Sequence, residues 1–168
     1  MISAIVYTSN TGFTKEYAKM LSESLNLPFY SLDSSKDILS KGANIIYLGW
    51  LCANKIKGLN KASSLYNIVL TGAVGARLPY DDNYFALLKR LNPKANNLYY
   101  LHGGIDYSAL KGVKKWILKE ASKFIAKGDN KEGQALKKVF LNGGSFVSKK
   151  YLDDLINFVK RGEENGKC

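Results

Sequence analysis

The chain has 168 residues, with 25 Lys and Arg against 14 Asp and Glu, a formal net charge of +11. Its 46% hydrophobic and 23% charged residues are ordinary for a globular protein, and the length supports one domain with a full core, residues 1–168. No run of 18 apolar residues offers a membrane span, and two cysteines with one histidine argue against a disulfide framework, a zinc site or an iron–sulfur site, so no metal ligands are assigned.

The first predicted element is a buried strand, Ile2-Ser3-Ala4-Ile5-Val6-Tyr7. Apolar residues then recur at Phe13, Tyr17, Met20, Leu21 and Leu25, the period of a helix. Between them lies Thr8-Ser9-Asn10-Thr11-Gly12-Phe13-Thr14, a turn rich in hydroxyl and amide groups that feeds a helix N-terminus. Free N–H groups and the positive end of the helix dipole make such a turn a place for an anion. A plain capped turn would show the same residue types. There is no Gly-x-x-x-x-Gly-Lys-[Ser/Thr] and no Gly-x-Gly-x-x-Gly, so the triphosphate loop and the dinucleotide fingerprint are both excluded. An anion held here should be a monophosphate met by hydroxyls and backbone.

Leu27–Leu32 reads as a short second strand, and Asp33 and Ser34 as a helix cap opening a short turn through Leu39. Ala43–Gly49 and Asn67–Gly72 are continuous apolar runs, the pattern of strands buried on both faces. A helical segment through Leu65 separates them. Asp81 and Asp82 open a helix carrying Tyr84, Phe85, Leu87, Leu88 and Leu91, and Asn97–Leu101 is the fifth strand. Strands alternating with helices predict an α/β fold with a five-stranded parallel sheet covered on both faces, order 2-1-3-4-5. Right-handed crossovers then bring three loops together at the carboxyl ends of the strands: residues 8–14, 49–55 and 71–77.

More than sixty residues follow the fifth strand. Leu110, Val113, Ile117, Ala121 and Phe124 form one helical stripe; a short helix is expected over Lys131–Val139, then a turn at Asn142-Gly143-Gly144. Ser148 should cap a last helix burying Tyr151, Leu152, Leu155, Ile156 and Val159, with a frayed tail from Gly162. Residues 105–145 thus read as an insert or extension. Residues 108–150 hold eleven lysines against three acids, a net of +8, so most of the excess charge lies there. A solvated lysine face and a surface for an acidic partner, an anionic cofactor or peripheral contact with a membrane both fit. No helix-turn-helix, RNP or KH signal points to nucleic acid. No basic segment followed by a long apolar run opens the chain, which therefore reads as cytoplasmic.

Ser9-x-Thr11-Gly12-x-Thr14 resembles the phosphate-binding loop of the flavodoxin family, in spacing and in position after the first strand. The resemblance implies a flavodoxin-like three-layer αβα sandwich and a non-covalent FMN. Ser9, Asn10, Thr11, Gly12, Phe13 and Thr14 would hold its phosphate. Gly49-Trp50 … Asn54-Lys55 resembles the family's second loop, so Trp50, Leu51, Cys52, Ala53, Asn54 and Lys55 would lie by the isoalloxazine. Trp50 would stack on the ring, and Asn54 and Lys55 would bond its pyrimidine edge. Cys52 reads as a small packing residue, with no base nearby in sequence. Thr71, Gly72, Ala73, Val74 and Gly75 would form the third loop. It departs from the family, lacking the aromatic residue and the acidic cluster expected there; backbone N–H groups would meet the ring, Arg77 would favour an anionic reduced flavin, and Tyr80 or Tyr84 would supply an aromatic face.

His102-Gly103-Gly104-Ile105-Asp106-Tyr107 resembles a Gly-Gly-x-Asp-Tyr run of a flavodoxin-domain subgroup that includes menaquinone-linked protoporphyrinogen oxidases. There His102 is either a proton donor or a structural residue, and Asp106 a helix cap. The resemblance implies electron transfer with a redox partner protein; the family's classical carriers are acidic and dock on basic partners, so this basic chain would call for an acidic docking face instead. Two alternatives stand beside it: an FMN-dependent oxidoreductase of the protoporphyrinogen-oxidase type, and a flavodoxin-like binding module without FMN. None assigns a catalytic residue.

Overall fold

A computed structural model describes residues 1–77, 82–106 and 142–164. Strand β1 (Ala4–Thr8) leads into helix α1 (Phe13–Leu25), then β2 (Phe29–Ser31) and a 3-10 turn at Ser34–Asp37. Strand β3 (Asn44–Cys52) turns back as β4 (Lys55–Ile56), followed by α2 (Leu59–Leu65), β5 (Asn67–Gly75) and α3 (Asp82–Leu91). Strand β6 (Leu98–His102) continues to the short β7 (Gly104–Ile105). The chain is described again at β8 (Gly144–Ser145), a 3-10 turn at Lys149–Leu152 and α4 (Asp153–Glu164).

The main sheet runs β2-β1-β3-β5-β6, all parallel, with β4 added antiparallel to β3. Counted over the five parallel strands this is the expected order 2-1-3-4-5. The continuous apolar runs arise because each strand is covered on both sides. Ile5, Ile46 and Leu48 enter a cluster with Tyr17 and Leu21 of α1 and Leu155 and Val159 of α4. Val6, Ile45 and Tyr47 alternate with them and enter a second cluster with Leu59 and Ala62 of α2 and Tyr84 and Leu88 of α3. The result is a flavodoxin-like three-layer sandwich, α1 and α4 on one face and α2 and α3 on the other.

Several local expectations are corrected. Residues 49–55 are not a loop: β3 continues through Trp50 and Leu51 to Cys52, and only Ala53 and Asn54 turn, both at positive φ (48° and 62°). That is the geometry of a two-residue hairpin, with Leu51 opposite Ile56 and Cys52 opposite Lys55. Likewise β5 carries 71–75 as strand, paired from Thr71↔Leu98 to Gly75↔His102. Neither Asp33 nor Ser148 bonds its side chain as a helix cap. The Asp33 carboxylate meets Lys61 at 2.8 Å and Lys36 at 3.4 Å instead. Ser148 precedes the 3-10 turn, so the last helix starts at Asp153.

Gly144 pairs as strand, Gly104↔Ser145 and Ile105↔Gly144, which joins the two ends of the 105–145 stretch. Gly162 to Glu164 are helical, not frayed. Asp81, the Leu110–Phe124 stripe, the Lys131–Val139 helix and the tail beyond 164 lie outside the described residues, as do most of the lysines of 108–150.

Candidate functional site

The loop after β1 is fixed by Gly12. It sits at φ 95°, in the half of backbone space that side chains resist, and its N–H donates to Ser9 Oγ at 3.2 Å. Its carbonyl accepts the N–H of Glu16 at 3.0 Å, the first helical bond of α1. The N–H groups of Phe13, Thr14 and Lys15 therefore precede any helical acceptor and face the loop. Free N–H groups at a helix start are the feature on which the anion expectation for this turn rests.

Beside this loop, at the carboxyl ends of four strands, lies a cleft of about 170 Å³. Asn10, Thr11, Phe13 and Thr14 form one wall, and Trp50 and Leu51 of β3 another. Val74, Gly75 and Ala76 come from β5 and its end, and Gly103, Gly104, Ile105 and Asp106 from the link into β7. The lining is mostly apolar, with hydroxyls and amide groups at the helix end. Among the described residues that line it, Asp106 is the one carboxylate, and there is no nucleophile with a base beside it. The arrangement puts an apolar wall beside a helix N-terminus rich in polar groups.

Of the residues read from the sequence, Asn10, Thr11, Phe13, Thr14, Trp50, Leu51, Val74 and Gly75 are brought together here. Ser9 and Gly12 lie round the other side of the loop, in a more polar hollow of about 340 Å³ shared with Thr8, Lys15, Ser31 and Asp33. Cys52 is exposed on the hairpin, away from the lining. Ala53 and Asn54 make the turn itself, and Lys55 is exposed on β4. The Asn54 carbonyl is taken by the side chain of Asn92, which also accepts the N–H of Ile56 at 2.8 Å and donates to Leu88.

Thr71, Gly72 and Ala73 sit too deep in β5 to reach the cleft. Thr71 is fully buried, and its hydroxyl has no hydrogen-bond partner among the described residues. A Cβ on Gly72 would lie 2.5 Å from Leu48 Cδ2, so this glycine serves packing. Ala73 belongs to the α2/α3 cluster. Arg77 does not face the cleft as a free charge: its guanidinium lies 4.3 Å over the Tyr84 ring, and its carbonyl accepts the Tyr100 hydroxyl. Tyr84 is buried edge-on against Tyr100. Tyr80 and Tyr107 lie outside the described residues.

His102 is the last residue of β6 and only 2% exposed. Its ring stacks on Phe146 with centroids 4.4 Å apart and planes 11° from parallel. The Tyr151 hydroxyl lies 3.5 Å from its Nδ1. Burial holds the imidazole below its ordinary 6.5; the nearby Ala76 carbonyl favours the charged ring and Lys150 opposes it. The Nε2 makes no well-formed hydrogen bond among the described residues. His102 is not among the residues that line the cleft, although the next residue, Gly103, is.

Ala76 and Gly103–Asp106 were not among the site residues read from the sequence. The signal was present in the Gly103-Gly104 pair after a strand end. The glycines are needed because a Cβ on Gly103 would meet Val74 Cγ1 at 2.9 Å, and one on Gly104 would meet the Gly144 carbonyl.

No family model matches this chain, and no curated protein matches it. Among solved structures, a flavodoxin from the domain Archaea is similar at 13% identity and a TM-score of 0.34, over 85% of this chain and 96% of that one. The fold assignment rests on the strand order and layers described above. Among the described residues, no helix is long and apolar enough to cross a membrane.

Proposed function

We propose that this chain binds FMN at the cleft and serves in electron transfer. The observation that carries the reading is the meeting of a hydroxyl-rich helix N-terminus with the Trp50 wall in one cleft at the strand ends. The N–H groups that open α1, with the hydroxyls of Thr11 and Thr14, would hold a monophosphate. Trp50 would cover one face of a flat ring, with Leu51 and Val74 keeping water from it. When bound, FMN supplies reversible transfer of one or two electrons.

The size of the cleft favours a carrier. Sites that enclose a whole ligand measure roughly 300–1,000 Å³. At about 170 Å³ the part of the cleft lined by described residues is smaller than that, which suits a ring held with one edge open to a partner protein. The net charge of +11 suits an anionic cofactor and a redox partner with an acidic docking face. A single domain over residues 1–168 and a cytoplasmic setting go with this reading. The test is titration of FMN with the protein, followed by flavin fluorescence. Saturable quenching at one site per chain supports the proposal, and fluorescence unchanged by excess protein contradicts it.

A further inference from the structure

Several contacts of His102 join the end of β6 to the segment that returns at β8. Its ring stacks on Phe146, and the Phe146 N–H donates to the Gly103 carbonyl at 2.8 Å. Its own carbonyl accepts the Tyr17 hydroxyl at 2.7 Å, and the same hydroxyl accepts the Ser148 N–H at 3.3 Å. Gly103 to Asp106, the next residues along, form one wall of the cleft. Thus the contacts that seat the returning segment also seat that wall.

A charge on this ring would find little to balance it. From the returning segment it meets Phe146, the Tyr151 hydroxyl and the ammonium of Lys150. From α1 it meets Tyr17, whose phenol burial keeps neutral. From the end of β5 the Ala76 carbonyl favours the charged ring, and the Arg77 guanidinium lies over Tyr84. No carboxylate is paired with it among the described contacts. A buried imidazolium facing a lysine and, among the described residues, no acid is disfavoured, so protonation favours opening.

We propose that His102 is an acid-operated latch: uncharged, it clamps Phe146 and the returning segment against the end of β6, and protonated, it releases them and loosens the Gly103–Asp106 wall. The device is independent of what the cleft binds; only its consequence for FMN rests on the function proposed above. The sign follows from linkage. The open form takes a proton at the ordinary 6.5 and the closed form resists it, so closure is favoured above that pH and lost below it.

Amide hydrogen exchange tests this on the whole protein, read at Phe146 and Ser148 against Ile46 and Leu48 in the core. One pH unit below 6.5 the opening constant should rise for the two latch amides, by at most about tenfold, and stay level for the core pair. His102→Phe keeps an aromatic ring against Phe146 but takes no proton, so its latch amides should show no such rise. An equal rise in both proteins, or none in the wild type, overturns the latch. If the variant fails to fold, the wild-type imidazole decides by NMR: a ring that titrates near 6.5 while the Phe146 amide stays protected overturns the proposal, and loss of protection in step with titration supports it. FMN affinity should fall more steeply across the same range in the wild type than in His102→Phe, since the FMN phosphate takes its own second proton at about pH 6 in both. The same pH curve in both proteins while the wild-type amides open would show that the latch does not control the cleft. No FMN binding at any pH would defeat the proposed function and leave the amides to judge the latch.

Discussion

The side chain of Asn92 accepts the backbone N–H of Ile56 at 2.8 Å, and this bond fastens the β3–β4 hairpin to the end of α3. The same side chain donates to Asn54 and Leu88. A buried amide with its acceptor and donors all engaged holds the hairpin in one place, and Trp50 and Leu51 lie on that hairpin's first strand. Asn92→Ala removes every one of these bonds and strands a buried N–H. It should cost about 2–4 kcal/mol, read as a lower urea midpoint with an unchanged slope. A loss well under about 1 kcal/mol would show that water replaces the amide.

The hairpin turn offers a test of opposite sign. Ala53 is held at φ 48°, which costs a residue with a Cβ on the order of 1 kcal/mol. Asn tolerates this conformation better. Ala53→Asn should raise stability by about 0.5–1 kcal/mol and leave ligand binding alone, because the turn does not line the cleft. A fall in stability would mean that the turn is not of the observed type.

At the loop after β1, Thr11→Ala with Thr14→Ala should weaken FMN binding by about 1–3 kcal/mol, the value of hydroxyl bonds to a phosphate. Thr14 is only 2% exposed, so truncation also disturbs packing there. Thr14→Ser separates the two effects: it keeps the hydroxyl and should keep most of the affinity. Equal affinity in the double variant and the wild type would put the phosphate elsewhere.

Trp50→Phe should retain most of the FMN affinity and Trp50→Ala should lose about 1–2 kcal/mol, as expected for an aromatic face against a ring. Identical affinity in both variants and the wild type would remove Trp50 from the site.

Two glycines separate packing from binding. Gly72→Ala pushes a methyl into Leu48 and should cost about 1–3 kcal/mol of stability with no change in affinity. Gly104→Ala meets backbone, the Gly144 carbonyl and Ser145 Cα, which cannot swing aside as a side chain can. It should break the β7–β8 pairing and weaken binding as well as stability. Loss of stability alone from Gly104→Ala would uncouple that ribbon from the cleft.

The first βα unit and the strand order were legible in the sequence because each strand is buried on both faces and each helix on one. Ile5 and Val6 are both apolar for that reason, and Phe13, Tyr17 and Leu21 keep the helical period. The strand ends were not legible. Trp50 to Cys52 remain strand only because β4 folds back on them, and Ala53 at positive φ is no turn signal by residue type. The β7–β8 ribbon pairs two residues with two residues across a long stretch of chain, too short for any periodicity to show. The same limit governed the site. Loop spacing picked out residues of the helix end and Trp50, which line one cleft, but not how far β5 carries Thr71 and Gly72 into the core.

The most direct test of the central claim is reconstitution: mix the purified protein with excess FMN, remove free flavin by gel filtration, and record the visible spectrum of the protein peak. The flavin bands should travel with the protein at close to one equivalent per chain and be lost from the Thr11→Ala, Thr14→Ala variant. A colourless protein peak, with all FMN in the small-molecule fraction, would contradict the account.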